Sequence, residues 1–193
     1  MATQFDSIIN EHLKCLNSIL HNIAIQKKVE STIEAIVKCY KQNHKILLCG
    51  NGGSAADAEH LAGELSGRFK LERDPLNAEA LHVNSAALTA ISNDYSFEDA
   101  YARILQAKAY TGDILIAIST SGTSRNVIKA IEKAKNMGVI VISICGSNTS
   151  EMELISNITI SIPSTNTPRI QEAYMVLGHI ICEEVEKRIF QNQ

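Results

Sequence analysis

The run Ser119-Thr120-Ser121-Gly122-Thr123-Ser124 places five hydroxyls in six residues, directly after the apolar stretch from Asp113 to Ile118. From Asn126 onward, Val127, Ile128, Ile131 and Ala134 recur at helical spacing, so the loop leads into a helix N-terminus. Free backbone N–H groups and the positive end of the helix dipole favour an anion there. Neither Lys nor Arg lies inside the loop, and the pattern GxxxxGK[ST] is absent. Both features argue against a nucleoside triphosphate and for a single phosphoryl group on a small molecule. The bland alternative is an ordinary N-cap with surplus hydroxyls.

A second loop, Gly50-Asn51-Gly52-Gly53-Ser54, also follows an apolar strand, Lys45 to Cys49, and also precedes a helical pattern. Gly50, Gly52 and Ala55 satisfy the dinucleotide fingerprint GxGxxG/A. That fingerprint requires an acidic residue at the end of the next strand to hold a ribose, and the next strand ends His82-Val83-Asn84. A second anion or substrate loop is therefore expected rather than a dinucleotide site.

On the helix after this loop, His60 and Glu64 are four residues apart and share a face. Such a pair can be two metal ligands, a base with its orienting partner, or a surface contact. Small and apolar neighbours, Ala55, Ala56, Ala58, Leu61 and Ala62, predict a buried Glu64. Near the C-terminus, Arg169, Gln171, Glu172 and His179 lie among Ile170, Met175, Val176, Leu177, Ile180 and Ile181. Taken alone, His179 reads as a hydrogen-bonded core histidine. Gln171, an uncharged amide beside an Arg/Glu pair, has no evident solubility role.

The elements that must position these groups alternate regularly. Two amphipathic helices, Phe5 to about His21 and Lys28 to about Lys41, precede any strand. Strands are predicted near 45–49, 78–83, 113–118, 139–144 and 157–162, and helices near 54–66, 84–92, 97–109, 124–137, 149–155 and 167–190. The fold class is α/β, a doubly wound five-stranded parallel sheet covered on both faces. In the order 2-1-3-4-5 the switch point lies between strands 1 and 3, where the two anion loops follow. The expected organisation is one domain over 1–193, with a helical segment 1–43 and an α/β sandwich 44–193. The N-terminal helices are not needed to cover the sheet in this reading, so their apolar stripes are available to another subunit.

With 18 basic and 21 acidic residues, the chain has no electrostatic footprint for nucleic acid or an anionic membrane. The N-terminus lacks the pattern of a signal peptide and no apolar run is long enough for a membrane span, so a cytoplasmic protein is expected. Five cysteines, Cys15, Cys39, Cys49, Cys145 and Cys182, are widely spaced without CxxC and are expected to be small core residues.

The segments CGNGGSAADAEHLAGEL (49–65), SGRF (66–69), ISND (91–94), ISTSGTS (118–124) and RIQEAYMVLGHIICEEVE (169–186) together resemble the sugar isomerase domain family, and within it the phosphoheptose isomerases. The resemblance spans nearly the whole chain. It implies conversion of sedoheptulose 7-phosphate to D-glycero-D-manno-heptose 7-phosphate for bacterial lipopolysaccharide or capsule. By position it implies that Asn51, Gly52, Gly53 and Ser54 form the first substrate loop, and Ser119, Thr120, Ser121 and Ser124 the phosphate site. Arg68, Asn93 and Asp94 match sugar-contacting positions. His60, Glu64, Gln171 and His179 match a metal site for one zinc ion, with Gln171 also at the substrate and Glu64 and His179 as the acid/base pair. Pro168 stands where some relatives carry Asp, which removes an auxiliary contact.

A carboxylate and an imidazole suit this chemistry. A base takes a proton from the carbon beside a carbonyl and returns it to the neighbouring carbon, while a second group serves the oxygens. The competing reading within the same family is a non-catalytic binding protein of the type that associates with a replication initiator. Such relatives lack the Glu64 and His179 combination. Gln171 and His179 are eight residues apart, about 12 Å along a helix axis and about 80° around it. Ligands drawn from a neighbouring subunit would relieve that separation, so a homo-oligomer, a tetramer as in the family, is expected with its sites at subunit interfaces.

Overall fold

Runs rich in Ile, Leu and Val, buried on both sides, are the mark of central parallel strands. In the computed structural model, which describes residues 3–147 and 150–191, three such runs form β1 (Ile46–Cys49), β3 (Ile114–Ser119) and β4 (Ile140–Cys145). The shorter β2 (Ala78–Ala80) and β5 (Ile158–Ser161) lie at the edges, and the all-parallel order is β2-β1-β3-β4-β5. Ile46 is in register with Ala78 on one side and Ile114 on the other, which brings the carboxyl ends of β1 and β3 together.

Because side chains alternate along a strand, each strand feeds two cores. Ile46, Leu48, Ile114, Ile116, Ile142 and Ile144 pack on one face beneath α2 (Ile23–Lys41), α3 (Gly53–Ser66) and α8 (Thr167–Phe190). Leu47, Cys49, Leu115, Ala117 and Val141 face the other way, against α5 (Ala100–Lys108) and α6 (Arg125–Asn136). The smaller α4 (Ser85–Asp94) and α7 (Glu151–Ile155) flank that second layer, and α1 (Gln4–Leu20) lies outside α8. All five cysteines are buried, and burial pushes the thiols of Cys39, Cys49 and Cys182 up to about 12.

Several boundaries differ from the sequence reading. The second helix starts at Ile23 rather than Lys28, because the Asn22 side chain accepts from the N–H groups of Ala24 and Ile25 and starts it early. Its residues Ile33 and Ile36 are buried in the sheet core, so α2 does cover the sheet, whereas α1 keeps Phe5, Ile8, Ile9 and Leu13 exposed. The second strand ends at Ala80 instead of residue 83, since the chain turns there and Asn84 caps α4 by accepting from Ala87. The helix expected over 97–109 is interrupted, with a 3₁₀ turn at Phe97–Asp99 capped by Ser96. Residue 149, where the helix over 149–155 was placed to begin, lies outside the described residues; the described helix starts at Glu151. Pro168 occupies the first turn of α8, where a missing N–H costs no hydrogen bond.

Candidate active site

Both loops lie at the carboxyl ends of adjacent strands. Ser119, the last residue of β3, is buried, and its hydroxyl is 2.9 Å from that of Ser124 and 3.3 Å from that of Ser121. Ser121 Oγ in turn accepts from the Thr123 N–H at 3.3 Å. The turn depends on Gly122, whose φ of +69° is the left-handed region and whose missing Cβ would collide with Ser150. Ser124 is the N-cap of α6 yet makes no side-chain cap bond, because its hydroxyl faces Ser119. The positive end of α6 is thus ringed by hydroxyls without being capped by one.

The glycine loop is held from three sides. Tyr101 donates its hydroxyl to the Gly50 carbonyl. Tyr174, on α8, donates to Asp57 and has its oxygen 3.1 Å from Ser54 Oγ. Burial and the Asp57 carboxylate both push the Tyr174 phenol up, so it stays a donor. Between these anchors, Asn51 and Asn126 exchange two carboxamide hydrogen bonds, each 2.8 Å. Ser54 is buried, and its hydroxyl is committed to the packing of α3 on α8. Gln171 sits against Gly53, in the space a side chain there would need.

Helices α3 and α8 run side by side in the same direction. Gln171 meets Gly53, Tyr174 meets Ser54 and Asp57, and His179 meets His60. His60 Nε2 lies 2.9 Å from His179 Nε2 and 3.3 Å from Glu64 Oε1, and one ligand atom from each of the three falls within 4.8 Å of the others. The Phe69 ring stacks on His179, with centroids 5.6 Å apart and planes at 29°. Glu64 is less buried than the sequence predicted: its side chain is 24% exposed and that of His60 47%. The helix buries Ala58, Leu61, Ala62 and Leu65 and turns His60 and Glu64 to its open side.

Two imidazole nitrogens and a carboxylate oxygen are the donor set of a zinc site. Ligand atoms about 2.0–2.2 Å from one tetrahedral ion lie about 3.4 Å from each other, which the 2.9 and 3.3 Å separations approach. These three residues therefore fit such an ion. Gln171 of the same chain is eight residues from His179, about 12 Å along the axis of α8, with its side chain against Gly53.

Arg68 and the loop it belongs to are fixed from below by Glu186. The Glu186 carboxylate accepts from the backbone N–H groups of Phe69, Lys70 and Leu71 at 3.1, 2.8 and 3.0 Å and from Arg73 Nε at 2.8 Å. Arg73 also donates to the carbonyl of Glu64 at 2.9 Å, tying the loop to the end of α3. The Arg68 side chain itself is 61% exposed, with Glu72 at 3.8 Å. Asn93 and Asp94 are exposed at the end of α4 and bonded to each other at 3.0 Å. Among the described residues, neither they nor Arg68 hydrogen-bonds to the hydroxyl loop or the His60 cluster. Thr120 lines the turn and accepts from Gly146 through its carbonyl at 3.1 Å.

Sequence reasoning missed Asn126, Tyr101, Tyr174 and Glu186. Asn126 left a signal: an uncharged polar residue one turn before Ala130, on a face that is otherwise apolar. No helix is long and apolar enough to cross a membrane among the described residues.

The sequence profile of the SIS domain family matches residues 11–146. The chain is 45% identical over 176 residues to a phosphoheptose isomerase of Helicobacter pylori strain Shi470, covering 88% of this chain and 92% of that one. It is 43% identical over 193 residues to a phosphoheptose isomerase of Aneurinibacillus thermoaerophilus, covering 100% and 98%. The solved structure of a phosphoheptose isomerase from Neisseria gonorrhoeae superposes with a TM-score of 0.89 at 32% identity, over 95% of this chain and 97% of that one.

Proposed function

The chain belongs to the SIS domain family and, within it, to the phosphoheptose isomerases, and from that premise we propose that it interconverts sedoheptulose 7-phosphate and D-glycero-D-manno-heptose 7-phosphate. The observation that carries this reading is the meeting of His60, Glu64 and His179 about 10 Å along α3 from the glycine loop. A seven-carbon chain with its phosphate at one end and its carbonyl at the other needs two separated subsites of this kind.

The hydroxyls of Ser119, Ser121 and Ser124 and the uncapped start of α6 hold the phosphoryl group. Thr120 and the Asn51–Ser54 loop border it, and Arg68, Asn93 and Asp94 contact the sugar. Glu64 and His179 form the proton-transfer pair: one takes the proton from the carbon beside the carbonyl and returns it to the next carbon, and the other serves the oxygens. His60, Glu64, His179 and a Gln171 would hold zinc, which when bound polarises or orients the carbonyl and hydroxyl oxygens.

The assembly is a homo-oligomer, a tetramer, with sites at its interfaces. Phe5, Ile8, Ile9 and Leu13 on α1 and Val176 and Ile180 on α8 are exposed and apolar, which supports burial against a second copy. The separation of Gln171 from His179 supports a site completed by a neighbour. The setting is the cytoplasm, with the product feeding heptose for lipopolysaccharide or capsule. Incubating the pure protein with sedoheptulose 7-phosphate and following aldose formation by NMR tests the proposal. Binding of the sugar phosphate with no aldose would overturn it in favour of a binding protein.

A further inference from the structure

The Asn51 and Asn126 carboxamides face each other across the crevice between β1 and β3. Each Nδ2 donates to the other's Oδ1 at 2.8 Å, and Asn126 Oδ1 also accepts from the Val127 N–H at 3.0 Å. Asn126 is 3% exposed, and that extra bond locks its carboxamide to the first turn of α6. Asn51 belongs to a loop whose other members before Ser54 are glycines, so it supplies the loop's side-chain handle there. Tyr101 fixes the loop's start and Tyr174 its end, whereas Asn126 joins its middle to the helix that begins at the hydroxyl loop.

We propose that Asn126 is a positioning residue, and that its reciprocal amide pair with Asn51 clasps the glycine loop to the phosphate end of the site, setting the register between the two subsites. This rests on the reading of Ser119–Ser124 as the phosphate cradle. Two donor–acceptor bonds dictate both the place and the orientation of the Asn51 carboxamide, and that half-buried amide keeps one further N–H. Phosphoryl binding at α6 is thereby transmitted to the loop on α3. A small loss of register between a held phosphate and the reacting carbons is expensive in turnover, on the order of 10²-fold for about 1 Å.

The test compares the full-length wild type with Asn126→Ala, Asn51→Ala and the double variant. Turnover and KM for sedoheptulose 7-phosphate are measured along with the inhibition constant of inorganic phosphate. Asn126→Ala is expected to lower kcat by about 10–10²-fold and leave the phosphate constant unchanged, because the hydroxyls and the start of α6 remain. Adding Asn126→Ala to Asn51→Ala is expected to cost little more, since the clasp is already broken. Additive losses, or a phosphate constant that weakens in step with kcat, would overturn the proposal.

Amide hydrogen exchange gives a readout independent of activity. Phosphate should slow exchange over both 119–128 and 50–56 in the wild type, but over 119–128 alone in Asn126→Ala. Should Asn126→Ala fail to fold, Asn51→Ser breaks the same pair from its more exposed side, and loss of the response at 50–56 is again expected. Transmission that survives either change overturns the clasp. Absence of wild-type protection at 119–128 removes the phosphate cradle and the clasp with it. A wild type that shows transmission and makes no aldose overturns the isomerase reading alone.

Discussion

His60 Nε2 and His179 Nε2 stand 2.9 Å apart, although 119 residues separate them in the chain, and the Glu64 carboxylate is 3.3 Å from the first of them. At that distance one nitrogen donates to the other, or both direct lone pairs at a common cation. The second arrangement also satisfies Glu64, whose acceptor oxygen would otherwise compete for the same proton. Zinc is therefore expected to bind the wild type, and His179→Asn to weaken that binding by more than about 10²-fold, beyond what losing an outer partner of a ligand costs. Equilibrium competition against a zinc-sensitive dye measures both. Equal affinity in wild type and variant would remove His179 from the ligand set.

Removing two hydroxyls from the cradle leaves the start of α6 in place. Ser121→Ala with Ser124→Ala should raise the KM for sedoheptulose 7-phosphate, since each lost hydrogen bond to a charged group is worth about 1.5–3 kcal/mol. Ser121 Oγ also accepts from Thr123, so a melting curve must accompany the kinetics. If inorganic phosphate competes as well after the change as before, the phosphoryl group binds elsewhere.

What the sequence disclosed follows from the range of each signal. The apolar runs of β1, β3 and β4, and the strand-loop-helix punctuation at Gly50–Ser54 and Ser119–Ser124, are local patterns, and they located the sheet and its two loops. The early start of α2 was obscured because only His21 and Asn22 separate it from α1, which leaves no stretch of turn residues to read. The end of β2 was misjudged because an edge strand has one neighbour and stops where that pairing stops, here at Leu48 opposite Ala80. The ties that fix the site were invisible for a different reason. Asn51 and Asn126 are 75 residues apart, and Phe69 and Glu186 are 117 apart, separations that no periodicity reports.

The buried pair of Glu186 and Arg73 should contribute to acid stability. Burial pushes the Glu186 carboxyl up, but three backbone N–H groups and Arg73 outweigh it and hold the group below its ordinary value. A carboxyl whose folded value is depressed stabilises the fold at pH above its unfolded value, about 4.3. That contribution is lost as the pH falls through the folded value. Glu186→Gln should cost about 3–5 kcal/mol at pH 7, because it leaves Arg73 buried without a countercharge. It should also flatten the dependence of stability on pH below the unfolded value. Denaturant melts at pH 7 and below pH 4.3 test this, and a parallel drop in both proteins would exclude Glu186 as the acid-sensitive group.

Subunit exchange decides how the site is completed. His60, Glu64 and His179 come together within one chain, whereas Gln171 of that chain lies two turns away against Gly53. Glu64→Gln and His179→Asn should each lower turnover by about 10²–10⁴-fold, and mixed oligomers of the two should stay inactive, because every triad then carries one defect. Mixing Gln171→Ala with His179→Asn subunits should instead restore activity, since an intact triad from the first meets an intact Gln171 from the second. Replacing Phe5 and Leu13 together with Asp, on the exposed stripe of α1, should yield monomers that bind phosphate and turn over no sugar. Light scattering with activity at each peak provides the measurement. An active monomer, or no restoration in mixed oligomers confirmed by mass, would place the whole site in one chain and leave the apolar face of α1 and α8 without a part in the chemistry.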